Sequence, residues 1–234
     1  IKNPNLTKIP KMNNQIYFQI SESKKLPYLV PIIFVITVFY ASFIVHNPIL
    51  DGDPVFYLNA GNQILFGDKS NVIIPFAGFG WPIMLAFFDY FVSDVFIVSK
   101  VIALICSTSI IFIIFFMTKN VLDRTSGFVA QVLVAINPFF QGEAIITNSE
   151  MIPLFLMFLG AYFLTTKNSF KKYSLIGIFL GIAFLFRYQY ALILFGIVAY
   201  IIISNLDNRK RVSYILYMLG FFMAIAFIYF HIIY

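Results

Sequence analysis

Charge is scarce in this chain. Asp, Glu, Lys and Arg make up 11% of its 234 residues and hydrophobic residues 61%, whereas soluble domains carry roughly 25% charged residues. That scarcity excludes an ordinary soluble domain. Cysteine is nearly absent too. Cys106 stands alone inside an apolar run, which excludes an intramolecular disulfide and a Cys-based metal centre and leaves the redox compartment undetermined. There are two histidines: His46 ends an apolar run, as an interfacial residue does, and His231 lies in the last run without nearby partners. Alternating segments of about 10 residues, the mark of a transmembrane barrel, are missing. The polar, Lys-bearing residues 1–25 lack the small-residue cleavage site of a signal peptide, so the first apolar run is expected to remain as a transmembrane helix.

What the chain does have is long apolar runs. They lie at about 28–48, 95–118, 126–146, 151–166, 172–204 and 212–234, with a further apolar stretch at 72–93. About 20 apolar residues span the hydrocarbon, so the expectation is an all-α, polytopic helical membrane protein. The run 172–204 is too long for one span: at 1.5 Å per residue it would reach ~50 Å against a core of ~30 Å. It contains Arg187-Tyr188-Gln189-Tyr190. A charge in mid-membrane is costly and Tyr favours the interface, so the run should divide into two short helices with Arg187 at the turn.

The stretch 72–93 decides the topology. It holds Pro75, Gly78, Gly80 and Pro82 in its first half and Asp89 near its end. If it does not cross, Lys119/Arg124, the cluster Lys167, Lys171, Lys172 and the cluster Arg209, Lys210, Arg211 all join the N-terminus on the cytoplasmic side, as the positive-inside rule favours. The same placement explains the net charge of +6 without nucleic acid as a partner. We therefore expect about seven transmembrane helices, a cytoplasmic segment 1–25, and a transmembrane domain over 26–234. A large first outer loop, 49–94, would carry juxtamembrane helices. The alternative is an ordinary span at 72–93. The chain starts with Ile and is still apolar from 226 to 234, so it is expected to be the N-terminal part of a longer protein.

With seven spans, Asp51, Asp53, Lys100, Glu143, Glu150 and Arg187 gather at or near one membrane face. Carboxylates and cations together there suit an anionic lipid-linked substrate. Asp51 and Asp53 lie just beyond the first apolar run, in Asp51-Gly52-Asp53-Pro54-Val55-Phe56-Tyr57-Leu58. Such a pair can accept a proton or stabilise a cation. A transporter or flippase component is the rival, but transporters place ionisable groups near the bilayer midplane, and here the acids sit at run ends and in a loop.

The segment from Asp51 to Asp68 resembles the first outer loop of GT-C glycosyltransferases, the polyprenyl-phosphate-sugar-dependent enzymes related to protein O-mannosyltransferases and the aminoarabinose transferase of lipid A. Their pattern is an acid pair, an aromatic a few residues on, a short helix and a closing Gly; here Asp53, Tyr57 and Gly67 match it. The family often has an acid where this chain has Pro54. Three more segments follow in order: Pro75 to Pro82 resembles the start of the family's loop helix, Thr147 to Pro153 its second-outer-loop acid motif, and Phe184 to Tyr188 the basic end of its fifth span. Lys100 falls where relatives carry Arg.

The resemblance implies a membrane glycosyltransferase that moves a sugar, with inversion, from a polyprenyl-phosphate carrier to a lipid, glycan or protein acceptor outside the cytoplasm. Asp53 would be the general base, or an N-cap preceding Pro54 at N1; the two roles are compatible. Asp51 would orient the acceptor, raise the basicity of Asp53 or, with it, ligate a divalent ion; otherwise it is a solvated loop acid. Glu150 would be a further site carboxylate or a first-turn helix acid with Ser149 as cap. Arg187 and Lys100 would hold the donor phosphate or else snorkel at helix ends. Tyr57 and Trp81 would line a sugar or prenyl groove. No cofactor is expected, with a divalent cation compatible. The Ile-, Phe-, Asn- and Lys-rich usage is associated with AT-rich microbial genomes, and the expected location is a microbial plasma membrane with the active site facing outside.

Overall fold

The computed structural model describes residues 23, 25–45, 53–67, 78–92, 94–146, 149–204 and 206–233, and every regular element among them is helical. Helix α1 (Leu26–Tyr40) runs on into a π turn at Ala41–Val45. Two short helices follow, α2 (Asp53–Phe66) and α3 (Gly80–Asp89). Next come α4 (Val95–Val121), α5 (Arg124–Ala135), α6 (Pro138–Ile145) and α7 (Met151–Leu164). Helix α8 (Phe170–Phe186) leads through a 3₁₀ turn, Tyr188–Ala191, into α9 (Leu192–Ile203), and α10 (Asn208–Ile233) ends the chain.

Polar side chains start these helices. Asp94 accepts from the N–H groups of Phe96 and Ile97, Asp123 from Ser126, Asn137 from Phe140 and Ser169 from Lys172. Each satisfies an amide that a helix start leaves unpaired. The expected run 126–146 is one of these cases: Asn137-Pro138 breaks it, and α5 and α6 meet at a 59° bend. Proline has no N–H and clashes with the preceding turn, so the helix stops and restarts. The run 172–204 divides at Arg187, which ends α8 in an extended conformation (φ −149°, ψ 111°).

The chain is an all-α helical membrane protein. Among the described residues, three helices are long and apolar enough to cross by themselves (Leu26–Val45, Val95–Val121 and Asn208–Ile228), and the bent pair is a fourth if its two helices form one broken span. The shorter apolar helices Met151–Leu164 and Tyr188–Ile203 reach only about 21–24 Å at 1.5 Å per residue. Counting seven spans therefore needs both of these and the 17-residue α8 to cross where the bilayer thins or flanking side chains snorkel.

The bundle has two chemically different ends. At one, Arg124 Nη2 donates to Ser23 O (2.7 Å) and Asn120 Nδ2 to Thr165 Oγ1 (3.2 Å). There Lys172 Nζ donates to Leu164 O, Thr166 O and Asn168 Oδ1, capping the C-terminus of α7 with a cation. Arg211 does the same for Ser204 O and Leu206 O after α9. At the other end Ser42 Oγ donates to Ile145 O (3.0 Å) and Lys100 Nζ donates to Ser42 O. Helix α1 thus finishes where α4 starts, at the same end of the bundle. Helix α3, at 10 residues, is about 15 Å long, half the hydrocarbon thickness.

Two apolar cores lie between the ends. One joins α1, α4, α5, α6 and α7 around Phe34, Ile110, Ile111 and Met151; the other joins α8, α9 and α10 around Tyr173, Ile176, Leu180 and Met218. Lipid tails are as apolar as the side chains, so helix association depends on close packing. Gly177 and Gly181, spaced by four on α8, supply it. A Cβ at Gly177 would fall 2.2 Å from Met218 O, and one at Gly181 3.0 Å from Ile225 Cβ, both on α10.

Gly177→Ala should therefore lower the thermal unfolding midpoint in detergent. Gly196→Ala on α9, where nothing lies within 4 Å, should leave it unchanged or raise it, because a helix glycine costs about 1 kcal/mol against Ala. Equal behaviour of the two variants would contradict the close approach of α8 and α10.

Candidate active site

The end opposite the basic clusters is organised around Arg187. Its Nη2 lies 2.7 Å from Glu150 Oε1, and its Nε donates to Ser149 Oγ at 3.0 Å. The pair is partly buried, with side-chain exposures of 18% for Arg187 and 23% for Glu150. A guanidinium in such surroundings needs both a counter-charge and hydrogen-bond acceptors. The turn before α7 supplies them. The cap reading of this turn is not what is found: α7 has no side-chain cap hydrogen bond. The Ser149 hydroxyl and the Glu150 carboxylate both face Arg187 instead.

Tyr190, in the 3₁₀ turn, is the residue that sequence reasoning passed over as an interfacial aromatic. It is 8% exposed. It lies in the electrostatic field of Glu150, Arg187 and Glu143. Its place three residues after the only mid-run cation was the available signal. Glu143, which lacked motif support, is half-buried on α6 and belongs to the same electrostatic neighbourhood. It also lines an apolar groove of about 450 Å³ with Asn137, Phe139, Phe140, Met151 and Leu154.

The loop helices dock directly beside Arg187. Gly78 N–H donates to Phe186 O at 2.9 Å, satisfying a carbonyl that the end of α8 leaves open. A Cβ at Gly78 would lie 2.0 Å from Leu185 O, and one at Gly80 3.0 Å from the same carbonyl. Only glycine admits the approach at position 78, and at position 80 a side chain would be tight. Just beyond, Trp81 (1% exposed) and Tyr57 (9%) form an apolar cluster with Leu85 and Val95, against which Ile152 and Phe186 pack. Both aromatics expected to line a groove are core residues of this cluster. It ties α2 and α3 to the starts of α4 and α7 and to the end of α8. The Trp81 indole N–H is buried without a hydrogen-bond partner among the described residues.

Asp53 opens α2 one turn before Tyr57, so the backbone brings its helix to this cluster. Asp51, Thr147 and Asn148, and Pro75 to Ala77, lie outside the described residues. Lys100 is 7% exposed; its ammonium bonds the Ser42 carbonyl in the π turn and lies 5.5 Å from the Phe43 ring centre. A π turn displaces carbonyls from the regular ladder, and Lys100 serves one of them. Among the described residues, no group of three or more His, Cys, Asp or Glu could hold a metal ion.

The model of one family, dolichyl-phosphate-mannose-protein mannosyltransferase, matches residues 78–234. That span includes the loop-helix glycines, Lys100, Ser149, Glu150 and Arg187 and begins after Asp53. No curated protein and no solved structure gives a significant match.

The docking of the loop helices can be read from Trp81, the only tryptophan. Gly78→Ala should shift its fluorescence to the red and increase quenching by acrylamide. Gly142→Ala, where nothing lies within 4 Å, should change neither. An unaltered spectrum in Gly78→Ala would show that the contact with Leu185 does not hold α3.

Proposed function

The chain belongs to the dolichyl-phosphate-mannose-protein mannosyltransferase family, and from that premise we propose that it transfers a sugar from a polyprenyl-phosphate carrier to an acceptor hydroxyl. A glycosyltransferase of the mannosyltransferase type is what membership itself supports; the donor, the roles of individual residues and the stereochemistry are our reading. The observation that carries it is the setting of Arg187. This cation lies at the end of the bundle away from the basic clusters, against the helix pair that begins at Asp53.

In this reading the acceptor oxygen attacks the anomeric carbon while the bond from that carbon to the phosphate oxygen breaks. Asp53 takes the acceptor proton. The electron pair leaves with the polyprenyl phosphate, and Arg187 stabilises the charge that develops there. Attack from the side opposite the phosphate inverts the anomeric centre. Asp51 assists Asp53, either by orienting the acceptor or by sharing a divalent ion with it. The prenyl tail stays in lipid, which is why the catalyst is built from membrane helices. The positive-inside rule puts the basic end in the cytoplasm, so the site and the loop 49–94 face outside.

The bend between α5 and α6 is the one feature that favours a carrier without transfer chemistry, since transporters use broken helices. Its open backbone groups are met locally, however: Asn137 accepts from Phe140 N–H, and Gln141 Nε2 donates to Ala135 O at 2.8 Å.

Asp53→Asn should lower the rate of sugar transfer by about 10²–10⁴, the usual contribution of a general base, with little change in donor KM and an unchanged unfolding midpoint. Transfer at the wild-type rate would remove Asp53 as the base. For orientation, Tyr90→Cys in a Cys106→Ser background should react with an impermeant maleimide added outside intact cells. Reaction only after the cytoplasmic face is opened would reverse the topology.

A further inference from the structure

We propose that Ser149, beyond accepting a hydrogen bond from Arg187, is a positioning residue that presets Arg187 for the donor phosphate; this rests on the phosphate role given to Arg187 above. Arginine carries five N–H donors in a rigid planar fork. Two directions are already occupied: Nε donates to Ser149 Oγ and Nη2 is paired with Glu150 Oε1. Both lie along one edge of the guanidinium. Neither contact uses Nη1, which with the second N–H of Nη2 forms the distal edge of the fork, the geometry that binds phosphate oxygens in parallel pairs.

Without a hold on Nε, the guanidinium would turn about its last side-chain bonds while keeping a single contact with Glu150. Two holds on one edge fix both the plane and the direction of the other. Ser149 suits this task because it is fully buried, in the turn that starts α7, and its place is set by the backbone rather than by a long mobile side chain. A salt bridge alone supplies charge without this orientation. Arg187 also begins the 3₁₀ turn, where its own backbone is extended. The cation thus hangs from one helix end and is aimed by another.

The test is direct binding of a mixed-length polyprenyl phosphate to the full-length protein in nanodiscs, with no sugar and no turnover. Ser149→Ala should weaken binding about tenfold, the scale of one hydrogen bond to a charged group, and Ser149→Thr should restore it. Arg187→Met should weaken it further, and the double variant should bind no worse than Arg187→Met, because the hydroxyl acts only through the guanidinium. In transfer assays Ser149→Ala should raise donor KM more than it lowers kcat. Ser174→Ala, which removes a hydroxyl at the far end of α8, should change none of these. Wild-type binding by Ser149→Ala, or full additivity in the double variant, would overturn the positioning role and leave the transferase reading intact. No binding by the wild-type protein, or binding unaffected by Arg187→Met, would instead remove the phosphate role on which both depend.

Discussion

A guanidinium cannot rest unpaired in hydrocarbon, and Arg187 is where this fold meets that constraint. Its charge forbids one continuous helix through 172–204, so α8 stops, the chain turns, and α9 starts back across the bundle. The stop leaves a cation and open carbonyls at one place. Glu150 and Ser149 answer the cation, while Gly78 answers the carbonyl of Phe186. Three segments far apart in sequence are thereby joined at a single helix end. The same joint carries the chemistry assigned to the site, because a charge that must be paired in the resting protein is one that an anionic substrate can share.

Close backbone approach is the second structural device, and it serves two purposes. Between α8 and α10, Gly177 and Gly181 let two helices pack where lipid offers no hydrophobic driving force. At the loop, Gly78 lets a short helix sit on the end of α8, and Trp81 and Tyr57 then fill the space between the loop helices and the bundle. The first contact holds a wall of the molecule together. The second fixes where α2, and with it Asp53, meets that wall. A loop held by an aromatic core is a rigid platform, which suits the general-base role proposed for Asp53, since a base must stand within hydrogen-bond reach of its acceptor.

The opposite end has a different character. Its cations are bound to main-chain carbonyls at helix C-termini: Lys172 after α7 and Arg211 after α9. These charges cap helices, and the orientation proposed for the chain rests on them through the positive-inside rule. Lys100 behaves similarly although it lies at the site's end, since its ammonium serves the π turn of α1. Cations of one type thus divide by what surrounds them. Arg187 combines a carboxylate and a hydroxyl.

Much of the architecture could be read in the residues themselves. Run lengths and the scarcity of charge specify membrane helices, and the position of Arg187 specifies the break between α8 and α9, because helix length and the cost of a buried charge are local physics. The 59° bend at Asn137-Pro138 went unforeseen although its residues are plain, since the run around it was long enough to pass as one span. The ordered motifs located Glu150 and Arg187 as candidates. That they form one ion pair, that Ser149 turns from a helix cap into a ligand of Arg187, that Tyr190 joins them and that Trp81 is core rather than groove are all matters of distance between segments. Sequence by itself determined which residues could not face lipid. Only the tertiary structure decided which of them face one another, because pairing depends on how helix ends dock, and docking is settled by the packing of the whole bundle.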